Sequence, residues 1–231
     1  MVSMGLSIAH RLTPMSVVIA ILCAVFGGAI GWFAPEISKR KLELELPDKR
    51  GVNAGFGVIV GVLVGASLGA SWVLPAWVWI IGVGTLLALI DLKHHRLPDA
   101  LVLPSYAVVA VLLLIPSFVN GDWVAYRNAI IAAVASFLVY FVLALINPSG
   151  MGLGDVKFGG VLGLALGYLG FGYAVMGFFA AFVIAGIAGI GLMIGGKAGR
   201  KTAIPFGPFM VIGAAVAIPI SQYLASATFT V

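Results

Sequence analysis

Apolar residues fill eight runs along the chain, roughly 15–34, 52–71, 76–90, 101–119, 128–146, 156–170, 173–194 and 205–226, separated by short stretches rich in Gly, Pro, Asn and charge. Each run is continuous rather than alternating, and most approach the about 20 residues that a helix needs to cross a bilayer. The pattern predicts an all-α polytopic membrane protein with about eight transmembrane helices. Two divisions rest on length: 51–90 and 156–196 are nearly unbroken, and each is about twice one crossing. Breaks are expected within "GASLGASWVLPAW" and "GYLGFGY".

Charge tests that count independently, because lysine and arginine accumulate in cytoplasmic loops. With eight helices one side receives Lys39, Arg40, Lys41, Lys49, Arg50, Lys93, Arg96, Lys157, Lys197, Arg200 and Lys201, and the other only Arg11 and Arg127. Merging either long run would spoil the asymmetry, so both termini are expected outside the cytoplasm. Composition agrees: 62% of residues are hydrophobic and 9% charged, with a mean hydropathy of +1.17. The net charge of +5 is explained by membrane orientation, and no nucleic-acid partner is implied. The first run follows His10 and Arg11 but continues too long for a signal peptide, which favours a first transmembrane helix. The single cysteine, Cys23, lies inside that run, which excludes a disulfide framework or a cysteine zinc site.

No soluble domain, low-complexity tract or repeat interrupts residues 1–231, which read as one integral membrane unit. The largest polar connection is "EISKRKLELELPDKR", 36–50, read as a solvated cytoplasmic loop with substrate or partner contact as the alternative. It holds four of the eight acidic residues, Glu36, Glu43, Glu45 and Asp48, while Asp122 belongs to the turn "NGDW". Asp91, Asp99 and Asp155 are harder to place. Asp91 closes the third run, where it meets the unfavourable end of the helix dipole. Asp99 follows Pro98 and precedes the fourth run, which predicts a helix cap accepting the first free amides. His94 and His95 are adjacent rather than at metal-ligand spacing, and no metal site is expected.

Asp155 follows "NPSGMGLG" and fits an N-cap as well as a functional group. Gly150, Gly152 and Gly154 exceed what a cap needs and point to close backbone approach or positive φ beside it. Lys157, two positions on, points away from Asp155 on a helix. It suits a positive-inside anchor, with contact to an acidic substrate group as the alternative. The charge count puts Asp91 and Asp155 on the cytoplasmic side, each at a helix end, so they can meet. Two carboxylates held close cannot readily ionise together, and the resulting acid and base can activate water and polarise an amide carbonyl. A wet site at the mouth of the bundle suits that chemistry.

Three blocks carry a resemblance. "IDLKHHRLPDALVLP" resembles the first-aspartate motif of the type IV prepilin peptidases, "GMGLGDVKFGG" their Gly-x-Gly-Asp motif, and "IPFGPFM" their Pro-Phe-Gly-Pro motif, in matching order across residues 76–226. The resemblance implies that Asp91 and Asp155 are the catalytic aspartates, that Gly152 and Gly154 shape the backbone beside Asp155, and that Pro205, Gly207 and Pro208 bend the chain near the site. It implies a bacterial inner-membrane aspartyl protease, without cofactor, that removes the leader of prepilins or pseudopilins at the cytoplasmic face. Longer members of that family carry a zinc-binding cysteine domain in the first loop and also N-methylate the product. The short cysteine-free loop here makes methyl transfer doubtful. The rivals are another Gly-x-Gly-Asp intramembrane protease of the presenilin type and a proton- or cation-coupled transporter with carboxylates at broken helices.

Overall fold

The computed structural model of the protein describes residues 13–148, 150–196 and 204–228. Among them eight helices follow one another: α1 (Pro14–Leu42), α2 (Arg50–Leu68), α3 (Leu74–His94), α4 (Asp99–Asn120), α5 (Trp123–Ile146), α6 (Leu153–Leu169), α7 (Phe171–Ile194) and α8 (Gly207–Thr228). Seven are long and apolar enough to cross a membrane. The exception is α6, whose 17 residues rise about 26 Å against about 30 Å of hydrocarbon. It lies inside the bundle, with every residue from 155 to 168 buried except Lys157. Protein rather than lipid surrounds it, so the thickness of the bilayer does not dictate its length.

Both long apolar runs divide as their lengths require. Gly69 (φ 54°) ends α2, and Gly170 (φ 137°) is the single residue between α6 and α7. Each adopts a backbone conformation that side chains resist. The first polar connection is shorter than expected. α1 does not stop near residue 34 but continues through Pro35 to Leu42, with Lys39, Arg40 and Lys41 in its last turn and Glu43 closing it in the left-handed region. Cations favour that end of the helix dipole, and Ala34 and Ser38 are fully buried. The connection from α1 to α2 is therefore 43–49 rather than 36–50. α5 also starts early, because Asp122 accepts the Ala125 N–H at 2.9 Å and caps it.

Neighbouring helices pack as hairpins, most extensively α1 on α2, α5 on α6 and α7 on α8. Small residues make these contacts possible: a Cβ on Gly57 would fall on the Gly27 carbonyl, so α1 and α2 touch backbone to backbone. On α6, Gly159, Gly163 and Gly167 form one face, which receives Tyr140, Ser136 and Ala132 of α5. The centre of the bundle consists of α3, which contacts α1, α2, α4 and α8, and α6, which contacts α4, α5, α7 and α8. Residues 43–49 pass beneath α3: Leu44 packs with Ala34, Leu86, Leu89 and Ile90, and His94 Nε2 donates to the Glu45 carbonyl at 2.9 Å. Lys39, Arg40, Lys41, Lys49, Arg50 and Lys93 thus gather at one end, while Arg127 lies in the first turns of α5 at the other. Arg11, Lys197, Arg200 and Lys201 lie outside the described residues.

Candidate active site

The two central helices each bring one buried carboxylate to the same end of the bundle. Asp91 stands in the last turn of α3 and is 4% exposed. His95 closes that helix in the left-handed region (φ 50°), its N–H bonding the Asp91 carbonyl at 2.9 Å. The side chain turns away from its own helix end: Oδ2 accepts the N–H of Gly207 at 2.8 Å. Gly207 is the first residue of α8, so a carboxylate at the unfavourable pole of α3 sits at the favourable pole of α8. The electrostatic mismatch visible in the sequence is answered 116 residues away.

Asp155 occupies the first turn of α6, 8% exposed. Its Oδ2 accepts the Gly152 N–H at 2.9 Å, which is the reach-back half of a capping box. Its Oδ1 is buried and has no partner among the described residues. The Asp155 carboxylate lies within electrostatic reach of both Asp91 and Tyr140. Leu97 lies between the starts of α6 and α8: a Cβ on Gly154 would lie 2.8 Å from Leu97 Cβ and 3.0 Å from its carbonyl oxygen, and one on Gly207 would lie 3.2 Å from Leu97 Cδ2. The α3–α4 connection is thus wedged between the starts of α6 and α8.

The glycines beside Asp155 are not equivalent. Only Gly154 meets neighbouring backbone, whereas a Cβ on Gly152 would make an ordinary 3.5 Å contact with Asp155 Oδ2, and none of Gly150, Gly152 and Gly154 has positive φ. Pro205 lies just before α8 and Pro208 in its first turn, and between them the Gly207 amide bonds Asp91. Asp99 does not cap α4. Pro98 holds the N-cap position, and the Asp99 carboxylate is drawn instead to Lys157 Nζ, 2.7 and 2.8 Å from its two oxygens. Lys157 does point away from Asp155, and that ion pair is where it points. Among the described residues no three His, Cys, Asp or Glu side chains gather as metal ligands.

Leu97, Tyr106 and Tyr140 escaped the sequence reading. Tyr106 donates its hydroxyl to the Lys157 carbonyl at 2.6 Å. Tyr140 rests on Gly159 and stacks within an aromatic cluster of Phe178, Phe182 and Phe206, the last adjoining Gly207. The Gly residues opposite the tyrosines were the available signal, since an interior helix with glycine at four-residue spacing needs large partners.

A model of the type IV leader peptidase family matches residues 72–190, more than half of the 231. The chain belongs to the type IV leader peptidase family. A prepilin leader peptidase/N-methyltransferase of Stutzerimonas stutzeri is 31% identical over 155 residues, 65% of this chain and 51% of that protein. Leader peptidase HopD of Escherichia coli is 32% identical over 142 residues, 59% of this chain and 87% of that one. A prepilin leader peptidase/N-methyltransferase of Bacillus subtilis is 27% identical over 145 residues, 63% and 55% respectively. The chain spans about half the length of the prepilin leader peptidase/N-methyltransferases it matches. No solved structure matches it. The region shared with the leader peptidase family contains both Asp91 and Asp155 and ends before Gly207. Two buried carboxylates, each fixed by one backbone N–H and one of them with an open oxygen, have the chemical capacity to share a proton and orient a water.

Proposed function

We propose that this chain is an aspartyl endopeptidase of the bacterial inner membrane that removes the leader of type IV prepilins or pseudopilins. The observation that carries the reading is the convergence of Asp91 and Asp155 from the two most enclosed helices, at the end of the bundle where Lys39, Arg40, Lys41 and Lys93 gather. By the positive-inside rule that end is cytoplasmic.

One aspartate, ionised, takes a proton from water as it attacks the scissile carbonyl carbon; the other, protonated, donates to the carbonyl oxygen. The diol collapses, breaking the C–N bond, when the nitrogen of the leaving peptide accepts a proton from the protonated aspartate while a diol hydroxyl gives its proton to the ionised one, which leaves the dyad again with one proton shared between two acids. The pair acts as a unit, and the proton belongs to neither residue alone. The Gly207 and Gly152 N–H groups hold the carboxylates in place throughout, and a substrate helix in the same bilayer brings the scissile bond to the mouth. Methyl transfer forms no part of this reading, because the connection 43–49 is short and holds no cysteine.

The test is co-expression with a type IV prepilin in a host lacking its own leader peptidase, followed by mass measurement of the pilin. The expected product lacks its leader and carries an unmodified amino terminus; Asp91→Asn and Asp155→Asn leave the precursor intact. A precursor left whole by the wild-type chain, across several prepilins and pseudopilins, would overturn the reading.

A further inference from the structure

Lys157 interrupts an otherwise buried stretch of α6, and α4 takes hold of it twice. Its ammonium binds both oxygens of Asp99, and its carbonyl accepts the Tyr106 hydroxyl at 2.6 Å. Asp99 and Tyr106 are seven residues apart, two turns of one face of α4. The approach of Tyr106 depends on Gly160, where a Cβ would fall on the hydroxyl oxygen. A half-exposed ion pair adds little to folding stability, so its value lies elsewhere.

The N-cap of α6, Gly152, has no side chain to cap the first free amides, and the one side-chain bond at this helix start is made by Asp155 itself, whose Oδ2 accepts the Gly152 N–H. At 100° per residue Lys157 lies about 200° around the helix from Asp155. Holding Lys157 and its carbonyl against α4 therefore turns Asp155 to the opposite side, toward Asp91. A twist of about 20° would move a carboxylate roughly 6 Å from the helix axis by about 2 Å, more than enough to spoil the alignment of a water.

We propose that Asp99, Lys157 and Tyr106 form a two-point clamp between α4 and α6 that sets the rotation of α6 and so aims Asp155. They are positioning residues for the leader peptidase reaction, a role that rests on the reading above. Nothing in the clamp touches the reacting atoms.

The experiment measures kcat and KM for a detergent-solubilised type IV prepilin with Asp99→Asn, Lys157→Met, Tyr106→Phe, the exchanged pair Asp99→Lys/Lys157→Asp, and Asp155→Asn. The single clamp variants are expected to lose about tenfold in kcat with KM changed less than about twofold. The exchanged pair is expected to recover to within about threefold of wild type, and melting temperatures to stay within a few degrees throughout. A raised KM with unchanged kcat for Lys157→Met makes Lys157 a substrate contact and overturns the clamp. So does an exchanged pair as slow as the single variants, or full activity in all three. If Asp155→Asn itself still cleaves, the leader peptidase reading fails instead; if it is dead while the clamp variants are fully active, only the clamp fails.

Discussion

The N–H of Gly207 donates to Oδ2 of Asp91 across 2.8 Å and 116 positions of sequence. It joins the start of α8 to the end of α3 and gives a buried carboxylate the helix pole that its own helix denies it. Gly207 also has little room for anything larger, since a Cβ there would stand 3.0 Å from that oxygen and 3.1 Å from Asp91 Cβ, so the carboxylate would have to give by a few tenths of an ångström. Gly207→Ala is expected to cut leader removal by about tenfold, short of the about hundredfold that a full ångström of misplacement costs. The check is single-turnover cleavage at saturating substrate, which excludes binding as the cause.

Gly154 and Gly152 should separate cleanly. An alanine at 154 must push back Leu97, with Cβ 2.8 Å from its side chain and 3.0 Å from its carbonyl, whereas one at 152 meets nothing nearer than 3.5 Å. Gly154→Ala is therefore expected to cost about 1–3 kcal/mol of stability and most of the activity. Gly152→Ala keeps the amide that bonds Asp155 and is expected to stay within a few-fold of wild type. Thermal melting in detergent and cleavage rates, measured side by side, decide it.

Leu44, 7% exposed, fixes residues 43–49 beneath the part of α3 that carries Asp91. Leu44→Ala is expected to lose about 2–4 kcal/mol. Because the cavity opens against Leu89 and Ile90, cleavage should weaken at temperatures where the fold persists. Arrhenius plots of activity against melting curves test this.

Orientation is measurable without any substrate. In a Cys23→Ala background, Lys93→Cys should react with an impermeant thiol reagent only when the cytoplasmic face is open to it, and Arg127→Cys from the periplasmic face of intact cells. The reverse pattern would put the dyad on the wrong side for a leader that never leaves the cytoplasm.

Much of this molecule is written locally. Continuous apolar runs, with Gly69 and Gly170 as breaks, are enough to divide the chain into its helices. Asp91 and Asp155 stand out because five of the eight acidic residues read as parts of the polar segment 36–50 or of the turn "NGDW", which leaves only three carboxylates to explain. What sequence reading misses is non-local. Asp99 has the position of a cap, but the cation that claims it is 58 residues downstream. The segment "EISKRKL" is polar enough to pass for loop, yet Glu, Lys and Leu favour helix, and burial of Ala34 and Ser38 continues α1 through it. Leu97 reads as an ordinary loop residue because the two glycines that accept it belong to α6 and α8.

The central claim is that Asp91 and Asp155 work as one unit, and the direct measurement is single-turnover prepilin cleavage by Asp91→Asn, Asp155→Asn and the double variant. Each single substitution is expected to reduce the rate by at least about a thousandfold, and the double variant to be no slower than either, as for groups that act together. A single variant that retains a tenth of the wild-type rate, or a double variant whose loss is the product of the two, would contradict it.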